Sequence, residues 1–490
     1  MQIRQFPEKD VFRRLAKENN IVPVCTEILA DTDTPVSLLK KFQGNGKPVF
    51  LLESVEGGEK WGRYSFLGIS ARCHLKVFQD TVMIQENGNV QRVDHHNDPL
   101  EVLKGYMEQY KTPAMADLPR FWGGMVGYLT YEMVSFFEAI PNYQAADKSL
   151  AHFILPDELI IFDNIRHTLI CLVLGFMDDY PEPGQVFAAA SQRINTLLQE
   201  IRQPLCEEKK TATEKQYKLA VRPEAGAYQP KVVSTKEHIQ QGNIIQAVIS
   251  QPFTCDDAPD PWLLYRAQRY VNPSPYLYFM DYDDMILVGS SPETMVRLEN
   301  GVATVRPIAG TRPRGKTPRE DRLLADELLK DEKERAEHLM LVDLGRNDLG
   351  RVAETGSVQV TDMMIIERYS HVMHMVSNIT CDLKKSYTAW DLLKATFPAG
   401  TLTGAPKVRA MEIIADLEHH VRGPYGGAVG YVSFSGNLDM AITIRTACIQ
   451  GGELTVRAGA GIVADSDPET EHQETVNKAM GIQRALEMLR

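Results

Sequence analysis

The stretch DPETEHQETVNKA, which begins at Asp467, crowds Glu469, Glu471 and Glu474 around His472. Carboxylates three residues apart on a helix share one face, and Glu471 and Glu474 have that spacing. Asp467 is a good N-cap acceptor and Pro468 suits the first helical position, so a helix is predicted from Pro468 to the end. Val476 and Met480 then turn toward a core. The same spacing recurs at Glu334 and Glu337 in DEKERAEHLMLVDLGRND. Two helices, each offering a carboxylate pair, can meet around one hard cation. Mg²⁺ takes oxygen ligands and usually keeps waters and substrate oxygens in its shell. A solvated helix face accounts equally well for either pair alone, so spacing leaves both readings open.

The elements that must position these groups come from a chain of 490 residues, enough for two or three average domains. Lys and Arg total 53 against 65 Asp and Glu, a net charge of −12. That argues against a nucleic-acid binder but leaves room for an anionic substrate held by local Arg and Lys. Seven scattered cysteines form no C-x-x-C pair, which predicts reduced thiols and a cytoplasmic home. The opening MQIRQFPEKD has no apolar core, so no signal peptide is expected. The longest apolar run, LICLVLGFM, is too short to span a bilayer.

PVFLLESV reads as a strand, and ELIIFDNIRHTLICLVLGF as a hairpin. CEEKKTATEKQYKLAVRPEAGAYQP is polar and rich in Lys, Glu and Pro, and reads as a linker. The expected organisation is an N-terminal region over 1–205, a linker over 206–228 and a second region over 229–490. In that second region DMILVGSSPE, ATVRPIAG and ELTVRAGAGIV read as strands, and GGAVGYVSFSGNLDMAITIRTA as a hairpin bent at Ser-Gly-Asn. PREDRLLADELLKDEKERAEHLMLV reads as one helical segment. Strands paired in hairpins favour an α+β fold with largely antiparallel sheets. Arg445, inside the apolar AITIRTA, is expected to be buried on a strand and so to need an anion.

Five motifs then occur in order: PIAGTRPRG, AEHLMLVDLGRNDLGRV, FPAGTLTGAPK, YGGAVGYVSF and AGAGIVADSDPETEHQETVNKA. Together with LLESVEGGEKWGRYSFLG and FWGGMVGYLTYE, they resemble the chorismate-utilising enzymes, whose fold is a sandwich of antiparallel sheets with helices outside. Two positions separate the reactions of that family. Members that form aminodeoxychorismate typically carry a nucleophilic lysine in PI-x-GT, where this chain has Ala309. Members that form isochorismate or salicylate typically use a lysine base where NIIQAVISQ has Gln246. The resemblance is therefore nearest to the large synthase components that combine chorismate with ammonia to give anthranilate and pyruvate. Asn243 and Pro252 depart from the family's usual Asp and Arg.

The resemblance implies a site. Glu293 protonates the leaving hydroxyl, and His374 serves the pyruvate elimination. Mg²⁺ is held by Glu337 and Glu474, with Glu334 and Glu471 nearby. Arg445 and Tyr425 take the enolpyruvyl carboxylate with backbone N–H groups at Gly459 and Gly461, and Thr311 and Thr401 contact substrate oxygens. It also implies a tryptophan-feedback site built from Glu53, Ser54, Pro275, Tyr276, Val429 and Tyr431. No G-x-C-x-G glutaminase elbow occurs, so the family's separate glutamine amidotransferase subunit is implied as partner in a hetero-oligomer. Two alternatives stay open: an aminodeoxychorismate-forming member, and a tryptophan-sensing subunit with dead catalysis.

Overall fold

The computed structural model describes residues 2–54, 62–205, 215–222, 226–282, 284–369 and 372–489. Positions 206–214 and 223–225 of the expected linker, and 55–61 after LLES, lie outside them. Two sheets face each other, and every strand pair described in them is antiparallel. Both sheets draw on both halves of the chain. In the first, Val49–Glu53 pairs with Tyr276–Tyr282; in the second, Gly124–Leu129 pairs with Ala428–Ser433.

Alternation along these strands sorts side chains between two cores. Val49 and Leu51 enter the core under the helices Pro183–Arg202, Pro261–Val271 and Pro468–Glu487, whereas Phe50 enters the core between the sheets. A strand buried on both faces reads as a continuous apolar run, which is why VFLL shows no polar alternation.

The predicted hairpins form, at Glu158–Asp163 with Thr168–Phe176 and at Ala428–Ser433 with Leu438–Ile442. Three local expectations need correction. ATVRPIAG is two strands, Val302–Val305 and Ile308–Pro313, because Arg306 and Pro307 leave the ladder between them. The long helical segment is two helices, Pro318–Lys330 and Glu332–Gly350. Asp331 parts them and caps the second, accepting the N–H groups of Lys333 and Glu334 at 3.1 and 3.2 Å. On the C-terminal helix the buried positions include Thr475, Ala479 and Ile482, while Val476 and Met480 are half-buried, one residue round from the expected face.

Candidate active site

A cavity of about 410 Å³ opens where the second half's strands end, with Glu293, Thr311, His374, Thr401, Tyr425 and Arg445 on its wall. Gln246, Gly459, Gly461, Glu337, Glu471 and Glu474 line it too. Of the residues expected to bind substrate or metal, Glu334 alone is absent from this lining. A second cavity of about 550 Å³ adjoins it and shares Thr311, His374, Arg445 and Glu474.

Glu293 follows the Met285–Ser291 strand, and its carbonyl accepts the Ile442 N–H at 3.0 Å. Burial pushes its carboxyl up to about 7, against smaller opposing effects of Thr401, Arg445 and Lys478. The Thr401 hydroxyl stands beside this carboxyl yet is buried without a formed hydrogen bond.

Thr311 and His374 meet because their strands pair in register at those residues. His374 Nδ1 lies 3.0 Å from the Thr311 hydroxyl and 3.2 Å from the Gly310 carbonyl. A carbonyl only accepts, so this contact assigns the proton to Nδ1 and leaves Nε2 as an acceptor. Burial holds His374 below the ordinary histidine range, which keeps the ring neutral.

Tyr425 and the glycines fit one another by size. A Cβ on Gly459 would stand 2.7 Å from the Tyr425 hydroxyl, and one on Gly461 2.4 Å from the Gln246 amide nitrogen. Glycine at both positions lets these side chains lie against bare backbone. Arg445 differs from expectation. It is exposed, between the strands Leu438–Ile442 and Thr446–Gln450, with φ +49°. The break turns the guanidinium toward the cavities rather than into the sheet, so its access to an anion comes from position and not from burial.

The four carboxylates sit on the two helices as their spacing predicts, Glu334 and Glu337 on Glu332–Gly350 and Glu471 and Glu474 on Pro468–Glu487. Burial first, then the charges of Glu334 and Glu474, raise Glu337 above the ordinary carboxylate range. Burial and the charge of Glu474 raise Glu471 likewise. Carboxylates near enough to raise one another favour a cation between them. Three of the four also have a protein partner: Glu334 pairs with Arg312 at 3.3 Å, Glu474 with Lys478 at 2.7 Å, and Glu471 accepts from Ser466 at 2.7 Å. Among the described residues no three His, Cys, Asp or Glu side chains are gathered as a ready ligand set. A site offering one or two carboxylates fits Mg²⁺, which leaves places for substrate oxygens and water.

The residues assigned to feedback come from both sheets. Glu53 stands opposite Leu277, facing the helices, where its carboxylate accepts from Tyr265 at 2.8 Å and pairs with Arg269 at 2.6 Å. Tyr276 turns to the space between the sheets and meets Thr294 at 3.0 Å and Asp439 at 2.8 Å. Val429 and Tyr431 lie on the strand Ala428–Ser433, where Tyr431 stacks on Phe121 at 4.4 Å and accepts from Arg120 at 3.0 Å. Ser54 is half-buried at the end of its strand, and Pro275 lines the second cavity.

Sequence reasoning missed several contributors. Lys478 reaches Glu474 and the Gly459 carbonyl, the latter at 2.9 Å; its place four residues after Glu474 was the available signal. Arg457 lines the cavity while donating to Ser250 and Val421, and behind it Arg422 pairs with Glu418 at 2.8 Å. Two arginines beside it hold Glu418 down at about 2 despite full burial. Glu418 and Arg422 are four residues apart, but no spacing rule joins them to Arg457.

A family profile described as chorismate binding enzyme matches residues 48–484. Anthranilate synthase component 1 of Acetivibrio thermocellus is 45% identical over 493 residues, covering 98% of each chain. Its counterpart in Aquifex aeolicus is 46% identical over 482 residues, covering 97% of each. The crystal structure of anthranilate synthase component I from Streptococcus pneumoniae superposes with a TM-score of 0.78 at 36% identity, covering 93% of this chain and 99% of that one.

Proposed function

The chain belongs to the chorismate binding enzymes, and we propose that it acts as component 1 of an anthranilate synthase, converting chorismate and ammonia to anthranilate, pyruvate and water. The observation that carries the reading is a neutral-range carboxyl, Glu293, beside positions where Ala309 and Gln246 offer neither nucleophile nor base. Ammonia adds at ring carbon 2 while the carbon 4 hydroxyl takes the Glu293 proton and departs as water. Loss of the carbon 2 proton and cleavage of the enolpyruvyl ether then leave the aromatic ring, and the released enolate takes a proton to become pyruvate. Neutral His374, with Nε2 unprotonated, is suited to that elimination. Arg445 and Tyr425 orient the enolpyruvyl carboxylate, since a guanidinium fork matches it.

Glu337 and Glu474, with Glu334 and Glu471 behind them, would hold Mg²⁺. When bound, Mg²⁺ supplies charge neutralisation at the ring carboxylate. Ammonia comes from a glutamine amidotransferase subunit, because the sequence carries no glutaminase elbow. The chain works in the cytoplasm as part of a hetero-oligomer; among the described residues no helix is long and apolar enough to cross a membrane. Tryptophan acts as inhibitor at the Glu53, Ser54 and Tyr276 region. Contact of Tyr276 with Thr294, the neighbour of Glu293, supports a short route from effector to acid.

The test is an assay of the purified chain with chorismate, Mg²⁺ and an ammonium salt at alkaline pH, read by anthranilate fluorescence. Product is expected with ammonium and none with glutamine alone. Turnover of glutamine by the single chain, or an aminodeoxychorismate product by mass, would overturn the assignment.

A further inference from the structure

Behind the pocket wall, the N-terminal half grips the turn that carries Tyr425. Glu132 sits in the short helical turn Tyr131–Phe136 and is 7% exposed. Its carboxylate accepts the Arg422 N–H at 2.6 Å and the Gly423 N–H at 3.2 Å. The Tyr131 N–H donates in return to the Gly423 carbonyl at 2.8 Å. Arg422 carries the constraint onward. Its guanidinium donates to the carbonyls of Leu402 and Val248 at 2.8 and 2.7 Å, next to Thr401 and on the strand of Gln246.

Burying a carboxylate is costly unless donors satisfy it. Charge-assisted bonds from two consecutive N–H groups fix a turn more firmly than neutral acceptors do. Glu132 itself does not line the pocket. We propose that Glu132 is a positioning residue for the reaction: it fixes the Arg422–Gly423 turn and thereby sets the Tyr425 hydroxyl over Gly459, where a substrate carboxylate binds. The inference rests on the pocket reading above, in which Tyr425 meets chorismate.

Steady-state kinetics with ammonium on Glu132→Gln, Tyr425→Phe and the double variant test it, with Glu132→Asp as the variant that keeps the charge. An amide nitrogen in Glu132→Gln would face the backbone donors, so chorismate KM should rise about tenfold while kcat falls less than about threefold. The double variant should be no worse than Tyr425→Phe alone, since both act through one hydroxyl. A merely structural role lowers the folded fraction, read by circular dichroism, and leaves the KM of the surviving enzyme alone. An unchanged KM, or full additivity with Tyr425→Phe, overturns the proposal. If Tyr425→Phe itself leaves KM unchanged, the pocket reading fails and the proposal falls with it. If Glu132→Gln does not fold, Glu132→Asp carries the same comparison.

Discussion

At the scale of the residue, the pocket's chemistry turns on one proton. Burial moves the Glu293 carboxyl from an ordinary 4.5 to about 7, so it stays protonated where other glutamates have ionised. As a general acid it must carry its proton, and at a fixed concentration of free ammonia kcat/KM for chorismate is therefore expected to fall as pH rises through about 7. The cationic neighbours Arg445 and Lys478 pull that value down. Lys478→Met should shift the alkaline limb to higher pH; a shift to lower pH would refute the electrostatic account. Glu293→Gln should cost about 100-fold or more in kcat. The same carboxyl makes a claim on stability. The folded state binds the extra proton between about 4.5 and 7, so its stabilising contribution is present at low pH and lost as pH rises through about 7. Glu293→Gln lacks this loss, and its Tm relative to the parent should therefore climb with pH.

At the scale of the element, the two acidic helices matter through which side chain each turn presents. Glu474 and Glu471 line the pocket, whereas Glu469 is exposed and bonded to Gln229 at 3.0 Å. Glu474→Gln should therefore abolish most activity while Glu469→Gln keeps it; equal activities would return the segment to a solvated helix face. A binding readout separates ligand loss from other damage. Mg²⁺ should raise the Tm of the parent chain, and this rise should vanish in Glu337→Gln. Asp331 shows how an element sets such geometry. By capping the second helix it places Glu334 in the first turn, within reach of Arg312 and away from the pocket lining.

At the scale of the molecule, the halves are joined by sheet rather than merely apposed. Each sheet crosses from one half to the other through a strand pair, Val49–Glu53 with Tyr276–Tyr282 and Gly124–Leu129 with Ala428–Ser433. Separating the halves would expose those strand edges and both cores. Residues 229–490 expressed alone should be insoluble or unfolded by circular dichroism, and co-expression with residues 1–205 should recover soluble material. The same pairing would give the proposed feedback a path. Ser54 directly follows the strand Val49–Glu53 that pairs with Tyr276–Tyr282, and Tyr276 touches Thr294 beside Glu293. Ser54→Phe should relieve tryptophan inhibition while leaving much of the catalysis. Linkage also requires chorismate to weaken tryptophan binding by the factor that tryptophan weakens chorismate's. Calorimetry on Glu293→Gln with Mg²⁺ present measures this, and an affinity indifferent to chorismate would dismiss the regulatory reading.

What is local or periodic could be read along the chain. Hairpins, the Asp467 cap and the paired carboxylates follow from spacing along a few residues, and the order of five motifs identified the family. Distance in sequence hid the rest. Whether Glu293 is an ordinary strand-end carboxylate or an acid near neutrality depends on its burial in the fold, set against the opposing effects of Thr401 and Arg445, both more than a hundred residues away. Arg445 looked buried because its neighbours are apolar, yet a break between two strands turns it outward. The grip of Glu132 on the turn before Tyr425 spans 290 positions, and no pattern along the chain announces it. Burial and long-range hydrogen bonding are properties of the packed sheets, so only the tertiary structure could decide them.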